Sequence, residues 1–337
     1  MKILFSGWHN PRFESITEYI ERALLKLGHE LEIFEYWQYI IPGRIRRRVP
    51  FLEKYDLSRI NNKFLNIAKH FRPDMVFVLQ GPTMLPETIE TIRKTFKIPT
   101  VNWFIDYPTV FETAVDFAKH YDHFFVSSTN AMRKHHQLGN TNVRTLNFAC
   151  DPDIQKILEL TEEEKRKYGN DIVFVGSHYP EREKAISSIR DLDVGVWGPG
   201  WHSKPNPNLH KLFKNEHTDP SAWAKVFNAS KIALNVNYGF DRLPDIDCNP
   251  GSTKLFEILG CGAFQLVDRK KAITDMFADG KDLVTFTDLP DMRNKIKYYL
   301  EHDKERKMIA ANGRKEVLAK HTFEHRMREM LSIVFPS

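Results

Sequence analysis

Three cysteines, Cys150, Cys248 and Cys261, are too few and too widely spaced for a disulfide framework or a zinc knuckle to follow from the sequence. A reducing compartment is the expectation. No apolar run is long enough to span a bilayer, and the short strand-like run Met1-Lys-Ile-Leu-Phe5 is not the apolar core of a signal peptide, so a cytoplasmic location is expected. Excess charge of one sign is also scarce. The 49 Lys and Arg against 44 Asp and Glu leave a formal +5, too thin to argue for nucleic acid and equally suited to a small anionic ligand. The fourteen histidines are scattered without metal-ligand spacing. Low-complexity segments and repeats of short fixed period are absent. The loop after the first strand, Gly7-Trp-His-Asn-Pro-Arg12, lacks a GxGxxG arrangement, which counts against a dehydrogenase.

What is present is length for two domains and a repeating alternation of short apolar runs with longer amphipathic ones. Strands are expected over residues 2–5, 31–36, 75–79, 100–104 and 123–127, with helices over 15–27, 61–70, 86–96 and 114–120. After the charged segment 158–167 the alternation restarts, with strands over 171–177, 193–197, 231–236 and 264–267 and helices over 221–229 and 253–259. Such alternation predicts an α/β chain with two doubly wound, parallel-sheet domains. The boundaries read as 1–152, 153–322 and a terminal helical segment 323–337 that returns to pack on the first domain.

In open parallel sheets, ligands sit outside the carboxyl ends of the strands. The longest such loop runs from Asn237 to Ser252 and enters the helix of Phe256-Glu257-Ile258. Small residues at Gly251, Ser252 and Thr253 let a diphosphate approach amides that have no intrahelical partner. Glu257 lies one turn further on, among apolar side chains, where a carboxylate needs partners. Two adjacent ribose hydroxyls would supply them; so would a basic side chain pairing with it on the helix. Arg182, in Gly176-Ser-His-Tyr-Pro-Glu-Arg182, is a candidate for the donor phosphates, or else a helix-surface arginine. Lys254 adjoins the diphosphate site or points to solvent. Asp245-Ile-Asp247 spells DxD, a pattern too short to be specific, and no metal is expected because helix-end charge suffices for a leaving diphosphate. His9 and Asp106 are rival candidates for a general base, with Tyr107 and Gln80-Gly81-Pro82 as acceptor contacts. The basic run Arg44-Ile-Arg-Arg-Arg48 reads as a solvated loop; it also fits phosphates on an acceptor or a membrane surface, though nothing else in the sequence indicates membrane contact.

Phe256-Glu-Ile-Leu-Gly-Cys-Gly262 followed by an apolar strand resembles the donor-site signature of GT-B glycosyltransferases, particularly the CgeB-like group. Phe174-Val-Gly176, Trp197-Gly-Pro-Gly-Trp201 and the run from Asn228 to Asn235 stand in the order expected of that group. Trp103-Phe-Ile-Asp106 and the run from Asn147 to Pro152 are similar to it as well. The resemblance implies a GT-B fold, two Rossmann-like domains facing each other across a cleft, the first on the acceptor side and the second holding the donor. It implies that Glu257 binds the nucleotide ribose and that the amides of residues 251–253 hold the diphosphate. Related retaining transferases carry a glutamate eight positions before Glu257, where this chain has Asn249, so Asn249, Asp247 and Asp245 are all candidates for sugar recognition.

The function expected is metal-independent transfer of a sugar from a nucleotide diphosphate to an acceptor hydroxyl, of the hexosyltransferase kind. The nucleotide sugar is a substrate, and no cofactor and no nucleic-acid partner are expected. A nucleotide-sugar epimerase and a catalytically silent nucleotide-sugar-binding protein are the alternatives, since architecture alone does not fix chemistry.

Overall fold

The computed structural model describes residues 1–106, 111–202, 206–215, 219–237 and 252–336. The chain divides into two compact units, Met1–Asn147 with Arg326–Ser337, and Phe148–His325. The terminal helix Phe323–Val334 therefore begins in the second unit and continues as part of the first.

The first unit is built on strands β1 (Lys2–Gly7), β2 (Glu30–Glu35), β3 (Met75–Leu79), β4 (Thr100–Phe104), β5 (His123–Val126) and β6 (Val143–Thr145). They form one parallel sheet in the order β2-β1-β3-β4-β5-β6. The central strands β3 and β4 are buried at every position, which is why they read as unbroken apolar runs. The helix Ile16–Lys26 starts where Ser15 meets Glu18, whose carboxylate accepts the Ser15 N–H at 2.7 Å, and Gly28 beyond its end takes φ +81. The helix Pro50–Phe71 is 22 residues long, twice what the sequence pattern suggested. Its first half carries exposed Phe51 and Tyr55 instead of an apolar stripe, so periodicity alone does not reveal it.

The second unit holds β7 (Ile172–Val175), β8 (Val194–Trp197), β9 (Phe213–Asn215), β10 (Ile232–Asn235), β11 (Gln265–Asp268) and β12 (Val284–Phe286). Their order is β12-β11-β10-β7-β8-β9, all parallel, the doubly wound arrangement in which strand order reverses between the first and fourth strands. Alternate residues of β7 enter different cores: Ile172 and Phe174 pack on one face of the sheet, Val173 and Val175 on the other. Helices on both faces bury those cores, so the carboxyl edge of the sheet is left to loops.

Candidate functional site

In the second unit the strand order places the crevice between β7 and β10, where the following loops run in opposite directions. Gly176 follows β7 at that point. A Cβ there would lie 3.1 Å from the Phe174 ring and 3.2 Å from the Arg182 guanidinium, so glycine is what lets Arg182 close over the strand end. Arg182 donates from Nε to the Val236 carbonyl at 2.8 Å and from Nη1 to the Ser177 carbonyl at 2.9 Å. It is thus a brace across the crevice, tying the loop after β7 to the end of β10. Burial depresses its basicity, offset by Tyr179 and Asp268. The segment from Trp197 to Trp201 supports this loop from outside. Trp201 Nε1 donates to the Gly176 carbonyl at 2.9 Å, and the His178 amide donates to the Pro199 carbonyl at 2.9 Å.

The helix Lys254–Gly260 starts beside the same edge, led in by Ser252 and Thr253. The Lys254 amide donates to Ser252 Oγ at 3.3 Å. Glu257 is buried, and its Oε2 accepts from Lys254 Nζ at 2.6 Å. Lys254 is directed inward, with Nζ 3.3 Å from the centroid of the Trp223 ring. Burial lowers the basicity of Lys254, Glu257 opposes that shift, and Arg182 adds to it, so the two cations feel one another. Among the described residues, Oε2 alone of the Glu257 carboxylate is engaged. The pairing with a basic side chain, one of the two readings of Glu257, is therefore present.

The glycines of Gly260-Cys-Gly262 serve packing. A Cβ on Gly260 would lie 3.0 Å from Gln155 and 3.2 Å from Cys150, and Gly262 ends the helix with φ +70. Cys261 is buried, and burial pushes its thiol up; Cys150 is pushed up to about 12 for the same reason. Both thiols are packed in the interior.

Sequence reasoning missed a neighbouring group. Asp268 ends β11, and its Oδ1 accepts from the Asn237 amide at 2.8 Å and from Asn237 Nδ2 at 2.9 Å, while Lys270 Nζ stands 3.6 Å from Oδ2. Lys270 is almost wholly buried. The signal was there: an acid and a base flanking Arg269 directly after an apolar strand. Among the described residues, Arg182, Lys254 and Lys270 gather at this edge with Glu257 and Asp268, and the buried Glu181 also acts on Arg182. The helix has only seven residues, so these side chains outweigh its dipole. Asn249, Gly251, Asp245 and Asp247 lie outside the described residues.

In the first unit the reversal falls between β1 and β3, and His9 follows β1. Its Nε2 is 2.8 Å from Glu21 Oε1 and its Nδ1 3.1 Å from Glu35 Oε2. Burial lowers the basicity of His9, but the Glu21 charge and hydrogen bonds to both glutamates outweigh it and leave the imidazole more basic than usual. Burial raises Glu21 as well. Carboxylates only accept, so either both ring nitrogens carry protons or one of the two glutamates holds one. Both ring nitrogens are thus engaged with carboxylates, and His9 stays beside Asp106 as a candidate for the base. Asp106 is exposed just beyond β4. Gln80 follows β3 at φ +58, and Asn102 Nδ2 donates to its carbonyl at 2.9 Å. Tyr107 lies outside the described residues. The basic run is not uniformly solvated: Arg46 is buried, its guanidinium 3.2 Å from the Tyr39 ring centroid.

Residues 181–332 match a family described as glycosyl transferase-like. The spore protein CgeB of Bacillus subtilis is 24% identical over 271 residues, covering 75% of this chain and 80% of that one. Anabaena HepE, solved with UDP-glucose, superposes with a TM-score of 0.64 at 14% identity, covering 99% of this chain and 100% of that one. Sucrose-phosphate synthase from Thermosynechococcus elongatus superposes with a TM-score of 0.68 at 10% identity, covering 98% of each chain. The chain thus has the GT-B fold, matches a glycosyl transferase-like family over residues 181–332 and is similar to CgeB.

Proposed function

We propose that this protein transfers a sugar from a nucleotide diphosphate to an acceptor hydroxyl without a divalent metal, as a hexosyltransferase. The observation that carries the reading is the cluster of Arg182, Lys254 and Glu257 at the carboxyl edge of the second sheet, within the segment that matches the glycosyl transferase-like family. Cations at that edge suit a diphosphate, and the Glu257 carboxylate suits a ribose hydroxyl. UDP-glucose, the ligand of the HepE structure, is the first donor to try. Asp106 and His9 are the candidates for the base that takes the acceptor hydroxyl proton as it is lost.

The test is a thermal-shift screen of nucleoside diphosphates and nucleotide sugars, followed by turnover with and without acceptor alcohols. A ligand that binds the folded state stabilises it by about 2.7 kcal/mol at a hundredfold excess over Kd. Nucleotide release that depends on the acceptor supports transfer. Conversion of the donor without an acceptor supports epimerisation, and binding without any turnover supports a silent sugar-nucleotide binder.

A further inference from the structure

The proposed transfer leaves one feature of the first unit unused. Among the described residues, six of the sixteen large apolar side chains that stand exposed fall within residues 37–55: Trp37, Ile40, Ile45, Val49, Phe51 and Tyr55, with Phe51 73% and Ile40 61% exposed. Arg44, Arg47, Arg48 and Lys54 are exposed in the same segment. Its one acid, Glu53, faces the buried Arg46 at 3.6 Å. A folded protein of this size would ordinarily turn such side chains inward, and the segment has partners that hold it in place instead. The Asp56 carboxylate accepts the amides of Ile40 and Ile41 at 3.3 and 3.0 Å, fastening the loop to the first turns of the helix Pro50–Phe71. The Trp37 and Tyr39 rings meet edge to face at 5.4 Å, and the Arg46 guanidinium sits over the Tyr39 ring. The loop that displays Trp37 and Ile40 is thus held by the chain itself, and exposed Phe51 stands in the first turn of the helix to which it is fastened.

We propose that this surface docks on an anionic lipid bilayer. The pattern of charge decides between a bilayer and a protein. Protein interfaces gather apolar groups at the centre and exclude charge to the rim. Here exposed cations and exposed apolar side chains alternate along the chain: Arg44 then Ile45, Arg47 and Arg48 then Val49, Phe51, and Lys54 then Tyr55. A bilayer surface uses that mixture, because apolar side chains enter the boundary below the headgroups while guanidinium and ammonium groups stay with the phosphates. Trp and Tyr suit the same depth, with an apolar body and a polar edge. No helix among the described residues is long and apolar enough to cross a membrane, so attachment is at one face. This inference does not rest on the donor reading, because every residue it uses lies in the first unit.

The test is co-sedimentation of the full chain with vesicles of phosphatidylcholine alone or mixed with phosphatidylglycerol. The expected result is binding to the mixed vesicles only, weakened by salt. Arg47→Gln with Arg48→Gln should lower the partition coefficient roughly 25-fold, since each basic residue near an anionic surface adds about 1 kcal/mol. Phe51→Ser should lower it about tenfold through lost apolar burial. Lys304→Gln with Lys315→Gln, an equal charge change on exposed residues of the second unit, should leave it unchanged. Melting temperatures should match across the set, since every altered side chain is exposed. No binding to the mixed vesicles, equal loss in the Lys304 and Lys315 variant, or no effect of Phe51→Ser would each overturn the proposal. So would a concentration-dependent dimer abolished by Phe51→Ser, which would assign the surface to a second copy of the chain.

Discussion

Replacing Glu257 by glutamine changes one charge and almost no volume, and the structure gives it two separable consequences. The first is on stability. Lys254 Nζ is buried against Trp223 and held by Glu257 Oε2 at 2.6 Å, so the variant leaves a buried ammonium facing a neutral amide. Breaking a buried pair costs about 3–5 kcal/mol, and the amide oxygen returns about 1 kcal/mol as a neutral hydrogen bond. A ceiling comes from deprotonation, since neutralising a lysine of pKa about 10.4 at pH 7 costs roughly 3.4 × 1.36, or about 5 kcal/mol. The expected loss is therefore about 2–4 kcal/mol, a fall in Tm of roughly 5–15 °C for a unit of this size. Burial already holds Lys254 below its unfolded pKa, with Glu257 opposing, and the variant depresses it further. In the window between the folded and unfolded values the unfolded chain binds more protons, so the variant's stability should rise with pH toward about 10, and over a wider window than in the wild type.

The second consequence is on ligand affinity. If Glu257 also accepts from a ribose hydroxyl, the loss of charge removes about 1.5–3 kcal/mol, one to two orders of magnitude in the Kd for UDP. A 2'-deoxy nucleotide should bind wild type and variant with nearly equal affinity, because the missing hydroxyl and the missing charge belong to one interaction. Calorimetry with UDP and 2'-deoxy-UDP, beside a melting curve for each protein, reads both effects. An unchanged Tm would refute the buried-pair argument. Equal affinity of the two folded proteins for UDP would refute the placement of a nucleotide at Glu257.

Three further outcomes are expected. UDP affinity measured by calorimetry should be the same with and without chelator, given the cations at Arg182, Lys254 and Lys270; binding that collapses in chelator and returns with magnesium would bring Asp245 and Asp247 forward as ligands. His9→Ala and Asp106→Ala should leave UDP affinity unchanged, while the substitution that removes the base lowers turnover. His9 should in addition stabilise the fold in a pH-dependent way: its folded pKa is raised, so the stabilisation is complete below about 6.5 and lost as pH rises through the folded value, and the Tm gap between wild type and His9→Ala should close across that range. Gly198→Ala should lose about 1–3 kcal/mol of stability and weaken UDP binding, because Gly198 sits at φ +130 and a Cβ would fall 2.3 Å from the Gly176 carbonyl oxygen; unchanged binding would show that the Gly176 loop does not serve the ligand.

By itself the sequence determined the elements whose burial is uniform or whose ends are capped. Strands β3 and β4 were legible because both faces of a central parallel strand are apolar, and the helix Ile16–Lys26 because Ser15, Glu18 and Gly28 mark its ends. The terminal helix Phe323–Val334 and the short helix bearing Glu257 were legible from periodicity and turn residues. Strands β6, β9 and β12, of three residues each, carry too little pattern to read, and the first half of Pro50–Phe71 hides because it keeps apolar side chains outside. Only the tertiary structure decided which polar groups meet. His9 finds Glu21 and Glu35, 12 and 26 residues away; Arg182 reaches Val236 across 54; Asn237 finds Asp268 across 31. Those distances in sequence are set by strand order, since parallel strands brought side by side align their carboxyl ends whatever lies between them, and a side chain's local pattern carries no record of which strand will be its neighbour.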